Sequence, residues 1–343
     1  MQAPFLHRAR LRPWVLPLLV ILVLACAAVS IMVGRYGVSP QEMVGAIGAR
    51  ITGGVSPDRR ADSVVFNLRM PRITVAILIG SGMAVSGAAF QSLFSNPLAT
   101  PDTLGVASGT CVGAVVALLL GWGMLGVQLT ALVAGLITVA VTTAVARRRN
   151  GGTDVVTLVL AGVIVSALAD AVLSMLKLTA DPTSKLPEIT YWLMGSLAGS
   201  SWQQIALATP FIVIGSGVVV ALRWRLNVLA LSEDEARAAG VDVRRLRILL
   251  IVCATVVTAS VISLCGQVGW VGLIVPHAAR MLTGSDNRYL IPVCLLLGAS
   301  AMIAIDTVAR TLTASEVPVS VVTAIVGAPF FITLLRRTGG VQA

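Results

Sequence analysis

Lysine is nearly missing from this sequence, which contains only Lys177 and Lys185 among its 343 residues. A phosphate-binding loop needs a glycine-rich turn followed directly by Gly-Lys and then serine or threonine. Lys177 follows Leu176 and Lys185 follows Ser184, so neither lysine has the glycine that this loop requires. We therefore expect the chain not to hydrolyse ATP by this mechanism and to bind no cofactor of its own.

Residues that commonly form catalytic or metal sites are also scarce. The only histidines are His7 and His277, and the five cysteines lie in apolar segments without metal-ligand spacing. No paired carboxylates or nucleophile–base pairs stand out, so we predict neither an enzyme nor a metal site. The sequence also has no basic soluble domain of the kind that binds nucleic acid.

Charge is sparse along the whole chain. Charged residues make up 12% of the sequence and hydrophobic residues 57%, with a mean hydropathy of +0.92. A soluble domain carries roughly twice this charged fraction. Apolar runs of about 20 residues recur throughout, and each can cross a bilayer as a helix. The predicted fold class is an all-α membrane protein, with one polytopic transmembrane domain over residues 1–343.

Ten candidate spans account for the apolar runs. They cover approximately residues 13–33, 73–94, 105–120, 127–145, 155–178, 203–222, 246–264, 268–282, 289–309 and 317–335. The first begins like a signal peptide, but its length favours an uncleaved helix. The eighth is short because Gly272 and Pro276 interrupt it.

Basic residues indicate the orientation. An even number of spans places both termini on one side, and most of the 25 lysines and arginines fall on that side. Both termini are therefore predicted to be cytoplasmic. The segment from Arg35 to Arg72 breaks this rule, because it places six basic residues outside.

The segment FSNPLATPDTLG separates the second and third spans. Asn96–Pro97 and Pro101–Asp102 predict the end of one helix and the start of the next, because proline cannot donate the helical hydrogen bond. Glycines then recur every fourth residue, which predicts a helix face that packs closely against a neighbour. These glycines are Gly105, Gly109 and Gly113.

Six segments together resemble one family of transport proteins. They are RMPR (69–72), GSGMAVSGAAFQSLFSNPLATPDTLGVASG (80–109), YWLMGSLAGSSW (191–202), EARAAGVDVRRLR (235–247), GQVGWVGLIVPHAARMLTGSDNR (266–288) and EVPVSVVTAIVGAPFFITLLRR (316–337). They resemble the FecCD-type permeases, the membrane subunits of ABC importers for iron–siderophore complexes, haem and vitamin B12. The resemblance covers nearly everything after about residue 36, and the segments occur in family order.

The resemblance implies a ten-helix permease of the type II ABC importer class in the bacterial cytoplasmic (inner) membrane. It implies a second permease copy, most simply in a homodimer, and two cytoplasmic ATPase subunits that hold ATP and Mg²⁺. It also implies a periplasmic or lipid-anchored solute-binding protein. The expected cargo is an iron–siderophore chelate, with haem, cobalamin or molybdate as alternatives in the same class.

Two other classes stay open from the residues alone. An ion-coupled secondary transporter would use an intramembrane acid such as Asp170 or Asp306 as its coupling site. A receptor or structural membrane protein would have no transport role, but it would not need polar residues within its spans. Dependence of transport on a separate ATPase distinguishes the first class from an ABC importer.

The longest predicted cytoplasmic loop, about residues 226–245, contains signals for a short helix. Ser232 and Glu235 match a capping box, and Gly240 can end the helix. In the family this loop docks into the ATPase, whereas the alternative is a solvated connector. The predicted coupling residues are Ser232, Glu235, Ala236, Ala239, Gly240, Arg244 and Arg245, supported by Arg247.

The family resemblance implies a docking role for the arginines that the predicted topology places outside. Arg69 and Arg72 flank Met70–Pro71, and Arg310 follows Asp306 by one helical turn. Family members use arginines at these positions to receive glutamates of the binding protein, so Arg69, Arg72, Arg310 and Glu316 are the predicted docking residues. Pairing within the chain, with Asp306 or Glu316, is the alternative.

Asp170 lies within the fifth span, where a charge is costly unless it faces water or a partner. The family's fifth and tenth helices line the pathway, so Asp170, Thr153 and Asp154 are predicted pathway residues. A hydrogen-bonded contact between helices of one chain is the alternative for Asp170.

Overall fold

The computed structural model describes residues 6–7, 10–34, 36–54, 58–147, 155–231, 233–238, 240–313 and 315–337. Strands in these ranges are limited to the antiparallel pair β1 (Leu6–His7) and β2 (Arg10–Leu11). The α-helices are α1 (Val15–Met32), α2 (Pro40–Thr52), α3 (Arg59–Ser63), α4 (Met70–Leu93), α5 (Val106–Leu119), α6 (Met124–Val145), α7 (Val155–Thr179), α8 (Lys185–Leu193), α9 (Trp202–Ala221), α10 (Glu233–Ala238), α11 (Val243–Cys265), α12 (Val271–Thr283), α13 (Asn287–Ala309) and α14 (Val319–Arg337).

The apolar helices coincide with the ten predicted spans. Seven helical stretches among the described residues are long and apolar enough to cross a membrane, and these contain α1, α4, α6, α7, α9, α11 and α13. The shorter apolar helices are α5, α12 and the described part of α14. The positions of the spans therefore agree with the helices, while the count of ten crossings and the side of each terminus stay predictions.

Helices also occur outside the predicted spans. Helix α2 begins with a capping box, in which Ser39 N donates to Glu42 at 2.7 Å and Glu42 N donates to the Ser39 hydroxyl at 3.2 Å. Beyond α3, a π-helix (Val64–Arg69) leads directly into α4. The segment between the first two spans is therefore structured, and it positions Arg69 and Arg72 at the start of α4.

Helix α4 lies at the centre of the bundle, where it packs against α9, α11, α12 and α13. Glycines allow this close packing. A Cβ atom at Gly80 would lie 2.0 Å from the Gly298 carbonyl oxygen, and one at Gly87 would lie 1.9 Å from that of Gly272. Side chains at these positions would force α4 away from α13 and α12, because such distances are far below van der Waals contact.

The turn between α4 and α5 reaches into the bundle. Thr142 of α6 donates its hydroxyl to the Leu104 carbonyl oxygen at 3.0 Å. A Cβ atom at Gly162 of α7 would lie 2.0 Å from the Thr103 carbonyl oxygen. Gly162 lies seven residues beyond the start of α7, about 10 Å along its axis. Helix α5 is short because it begins at this depth rather than at the end of the bundle.

The glycine stripe differs from the sequence expectation at its first position. Gly105 precedes α5 with φ +77°, where it ends a 3₁₀ turn (Pro101–Leu104) instead of joining the helix face. Gly109 and Gly113 do lie in α5, where Cβ atoms would meet Thr138 Oγ1 at 1.9 Å and the Thr130 carbonyl oxygen at 2.3 Å. The packing partner of this face is α6. Before the turn, Asn96 accepts a hydrogen bond from the Leu98 N–H at 2.9 Å.

Candidate functional site

Five charged residues lie close together near the start of α4 and the end of α13. The predicted topology places this part of the bundle outside. We call Arg69, Arg72, Asp306, Arg310 and Glu316 the outer arginine cluster. Arg72 donates from Nε and Nη2 to the two oxygens of Asp306 at 2.9 and 2.8 Å, and from Nη1 to Glu316 at 2.9 Å. The Asp306 side chain is 2% exposed and that of Arg72 is 13% exposed. Arg72 therefore makes a buried, bidentate pair of the strong kind.

The other two arginines of the outer arginine cluster hold the end of α1. Arg69 donates to the carbonyl oxygens of Ile31 and Tyr36, and Arg310 donates to that of Ser30. The C-terminal end of a helix carries partial negative charge, so cations are favourable there. Arg310 also lies 3.9 Å from Asp306, the pairing expected from their spacing of four residues.

These contacts separate the predicted docking residues into two groups. Arg72 and Glu316 pair within the chain, as the alternative for this site anticipated. Arg69 is 6% exposed and makes no ion pair within the described residues, and Arg310 has only a long contact to Asp306. With three guanidinium groups and two carboxylates, the outer arginine cluster carries one surplus positive charge.

The predicted cytoplasmic loop contains the short helix α10, which lies between a 3₁₀ helix (Arg225–Ala230) and α11. Gly240 has φ +72°, and the next residue, Val241, donates its N–H to the Ala236 carbonyl oxygen at 3.0 Å. This is a helix end at a left-handed residue. Ser232 and Ala239 lie outside the described residues.

The coupling residues predicted in this loop face different directions. Ala236 is fully buried in the chain's own core, so its side chain seats α10 on the bundle and does not form part of an outward surface. Glu235, Ala238 and Gly240 are exposed. Arg244 is exposed as well, and Arg245 pairs with Asp242 at 3.0 Å on the surface.

A polar network connects this loop to the membrane helices. Asn227, in the 3₁₀ helix, donates to Asp286 at 2.7 Å and accepts two hydrogen bonds from Asn287, both 2.9 Å. Asn287 in turn accepts the Ser92 hydroxyl of α4 at 3.0 Å. The sequence alone does not predict this network, although its polar side chains flank apolar spans. The network connects the segment that leads into α10 with the starts of α13 and the end of α4.

One side of α7 is polar. Ser166, Asp170, Ser174 and Lys177 are spaced by three or four residues and therefore share a helix face, which we call the polar face of α7. Asp170 and Ser174 are exposed in the single chain, and Ser174 donates its hydroxyl to the Asp170 carbonyl oxygen at 2.8 Å. Thr153 and Asp154 lie outside the described residues.

Asp102 adds a second carboxylate beside this face. It lies in the turn that precedes α5, is exposed, and interacts electrostatically with Asp170. Its carboxylate faces the backbone N–H groups of Ala107 and Ser108 in the first turn of α5, a favourable position for negative charge. In the sequence Asp102 indicates only the start of a helix, because its proximity to Asp170 depends on the inward turn.

Comparison with known proteins finds one family whose model matches the chain and several similar transport proteins. The model of the FecCD transport family matches residues 20–337. The chain is 36% identical over 319 residues to the molybdate import permease MolB of Haemophilus influenzae, covering 93% of this chain and 94% of that protein. It is 44% identical over 277 residues to the cobalamin import permease BtuC of Halobacterium salinarum, covering 80% of this chain and 74% of that protein. A solved metal-chelate type ABC transporter in an inward-facing conformation superposes with a TM-score of 0.86 at 35% identity, covering 95% of this chain and 100% of that one.

Proposed function

Because the chain belongs to the FecCD transport family, we propose that two copies of it enclose the pathway through which an importer carries a metal chelate of the iron–siderophore type. The coarser function follows directly from the family. The chain is the multi-pass permease subunit of an ABC importer, and ATP hydrolysis belongs to a separate subunit.

The polar face of α7 is the feature on which the proposed location of the pathway depends. An acidic residue at the middle of a bilayer costs about 2.5–3.5 kcal/mol when it faces lipid. Asp170, with Asp102 beside it, avoids this cost if the face lines a water-filled space between two permease copies. Such a location also explains why the carboxylates are exposed in the single chain although the turn carrying Asp102 reaches into the bundle.

The charge of this face favours one group of cargoes. Two copies would present four carboxylates and two Lys177 ammonium groups toward the pathway, a net charge of −2, and like charges repel in an environment of low dielectric constant. This field disfavours a small dianion such as molybdate and favours a neutral or cationic chelate. Haem and cobalamin stay alternatives within the importer class, because a large cargo makes many weak contacts instead of one diagnostic contact.

Uptake into proteoliposomes tests this cargo assignment. The permease is reconstituted with its ATPase and its solute-binding protein, and labelled ferric siderophore, cobalamin and molybdate are supplied in turn. We expect ATP-driven accumulation of the ferric chelate. Accumulation of molybdate or cobalamin alone would contradict the iron cargo but leave the importer class intact.

Neutralising Asp170 is expected to reduce transport of a cationic chelate without preventing assembly. For charges about 15 Å apart at an effective dielectric constant near 20, the lost interaction is about 1 kcal/mol. Asp170→Asn should therefore slow uptake of a cationic ferric trihydroxamate about fivefold, while the dimer keeps its elution volume. Asp62→Asn, in α3, is the matched control. Uptake at the unaltered rate in Asp170→Asn would show that this charge plays no part in transport.

We also propose that the outer arginine cluster receives acidic side chains of the solute-binding protein. Its surplus positive charge supports this role, because guanidinium groups pair with carboxylates in fixed geometry. A rigid site also suits docking, and Arg72 is held by two carboxylates.

Removing one negative charge from the outer arginine cluster is expected to tighten this docking. Glu316→Gln raises the net charge of the cluster by one and leaves the Arg72–Asp306 pair in place. The variant should bind the solute-binding protein about threefold to tenfold more tightly at low salt, with the gain lost at high salt. Surface plasmon resonance at two ionic strengths measures this. Weaker binding at low salt would contradict an acidic partner.

We propose that the cytoplasmic loop containing α10 connects the permease to the ATPase. The exposed side of α10, with Glu235 and Ala238, is the surface that we propose docks into the ATPase. The Asn227–Asn287–Ser92 hydrogen bonds would transmit its displacement to α13 and α4. Helix α4 ends at the turn that carries Asp102, so this route reaches the proposed pathway.

A further inference from the structure

A cavity of about 500 Å³ lies where the chain enters α1, beside the end of α9 and the start of α13. It is separate from the outer arginine cluster and from the polar face of α7. Three arginines and two aromatic residues line it together with apolar side chains. The lining residues are Leu11, Arg12, Pro13, Leu16, Ala221, Arg223, Trp224, Arg288, Tyr289 and Pro292.

The charge of this cavity is not compensated by its lining. No carboxylate belongs to that set, and Arg12, Arg223 and Arg288 form no ion pair with any described residue. The nearby Asp286 is occupied by Asn227 and by the backbone N–H of Arg288. Among the described residues, the Arg223 side chain donates one hydrogen bond, to the Val220 carbonyl oxygen at 3.2 Å. Three guanidinium groups around one space form a site for an anion.

The surroundings of the cavity indicate where that anion comes from. Only 22% of the apolar membrane-spanning stretch of α1 is buried, and only 28% of that of α9. Both helices therefore present most of their apolar surface outward. Leu16, Ala221 and Pro292 give the cavity apolar walls. Trp224 is 45% exposed, and tryptophan and tyrosine concentrate at the level of lipid headgroups. The cavity therefore lies where a lipid-facing surface meets the aqueous phase.

We propose that this cavity binds the phosphate of an anionic phospholipid, whose acyl chains lie along the outward surfaces of α1 and α9. Guanidinium groups bind phosphate oxygens bidentately, and basic pockets between membrane helices recognise anionic headgroups. A lipid held here links the entry to α1 with the end of α9 and the start of α13. The site depends on neither the cargo nor the pathway proposed above.

Native mass spectrometry of the full-length, delipidated permease tests the site. Phosphatidylglycerol and phosphatidylcholine of the same acyl composition are titrated separately, and thermal unfolding is followed in parallel. We expect phosphatidylglycerol to bind and to raise the unfolding temperature, with little effect of phosphatidylcholine. The combined Arg12→Gln, Arg223→Gln and Arg288→Gln variant should lose about tenfold or more in affinity for phosphatidylglycerol.

Controls separate a lipid site from general charge effects. Arg147→Gln removes an exposed arginine outside the cavity and should keep wild-type lipid binding. Arg12→Gln and Arg288→Gln alone change exposed side chains, and each should weaken binding even if the triple variant does not accumulate. Equal binding of both lipids, equal loss in Arg147→Gln, or stabilisation by inorganic phosphate without any preference for phosphatidylglycerol would overturn the proposal.

Discussion

Arg72→Gln is expected to lower the stability of the permease by about 3–5 kcal/mol, because it removes both close donors from the buried Asp306 carboxylate and leaves it only the 3.9 Å contact to Arg310. The Asp306 side chain is 2% exposed and accepts from two Arg72 nitrogens. A loss of this size is a large fraction of the stability of a typical protein. Thermal unfolding of the detergent-purified chain, together with its yield from membranes, measures the effect.

A control ion pair and a double variant test whether the loss of stability comes from the buried Asp306 carboxylate. Arg50 pairs with Asp62 at 3.7 Å, with the Arg50 side chain 59% exposed, so Arg50→Gln should change stability by about 0–1 kcal/mol. Adding Asp306→Asn to Arg72→Gln should recover much of the loss, because the buried carboxylate that lost its two close donors is then neutralised. Equal effects of Arg72→Gln and Arg50→Gln, or no recovery in the double variant, would show that Asp306 does not depend on this pair.

Ala238→Trp is expected to uncouple transport from ATP hydrolysis while the permease stays folded. Ala238 is exposed at the end of α10, on the surface proposed to dock into the ATPase, and an indole there would hold the helix away. ATP-driven uptake should fall at least about tenfold, which corresponds to roughly 1.4 kcal/mol of lost coupling. Basal ATPase activity and the unfolding temperature of the complex should stay near wild type.

The neighbouring Ala236 provides the contrasting result. Its side chain is fully buried, so Ala236→Trp should destabilise the chain through overpacking by about 1–3 kcal/mol or more. Ala238→Ser, a small change at the exposed position, should transport normally. Full uptake in Ala238→Trp would remove this surface from the coupling role. Failure of Ala238→Trp to fold would show that α10 is packed on both sides.

Hydropathy located the membrane helices well because each helix that crosses a lipid bilayer needs a continuous apolar run of about 20 residues. Gly240 also identified the end of α10, since a left-handed helix end favours glycine. The family resemblance carried by RMPR and the NPLATPD region is confirmed by the match over residues 20–337. These features depend on local sequence, and a single chain contains enough information to recognise them.

Features that join distant parts of the chain were harder to predict. Arg72 and Asp306 are separated by 234 positions, and the spacing of charges favoured only the local Asp306–Arg310 contact. Asp102 approaches Asp170 because the turn before α5 enters the bundle, which also removes Gly105 from the helix face. The helix α2 has a capping box in its sequence, but hydropathy analysis overlooks short helices of mixed polarity.

One uptake measurement determines whether ATP hydrolysis in a partner subunit drives this permease. Permease and ATPase are reconstituted with ATP inside the vesicles and binding protein with labelled ferric chelate outside. Proton and sodium gradients are then collapsed with ionophores. We expect uptake to require hydrolysable ATP and to continue at an unchanged rate when the gradients are removed. Uptake that proceeds without ATP and stops with the ionophores would contradict this expectation and indicate an ion-coupled transporter.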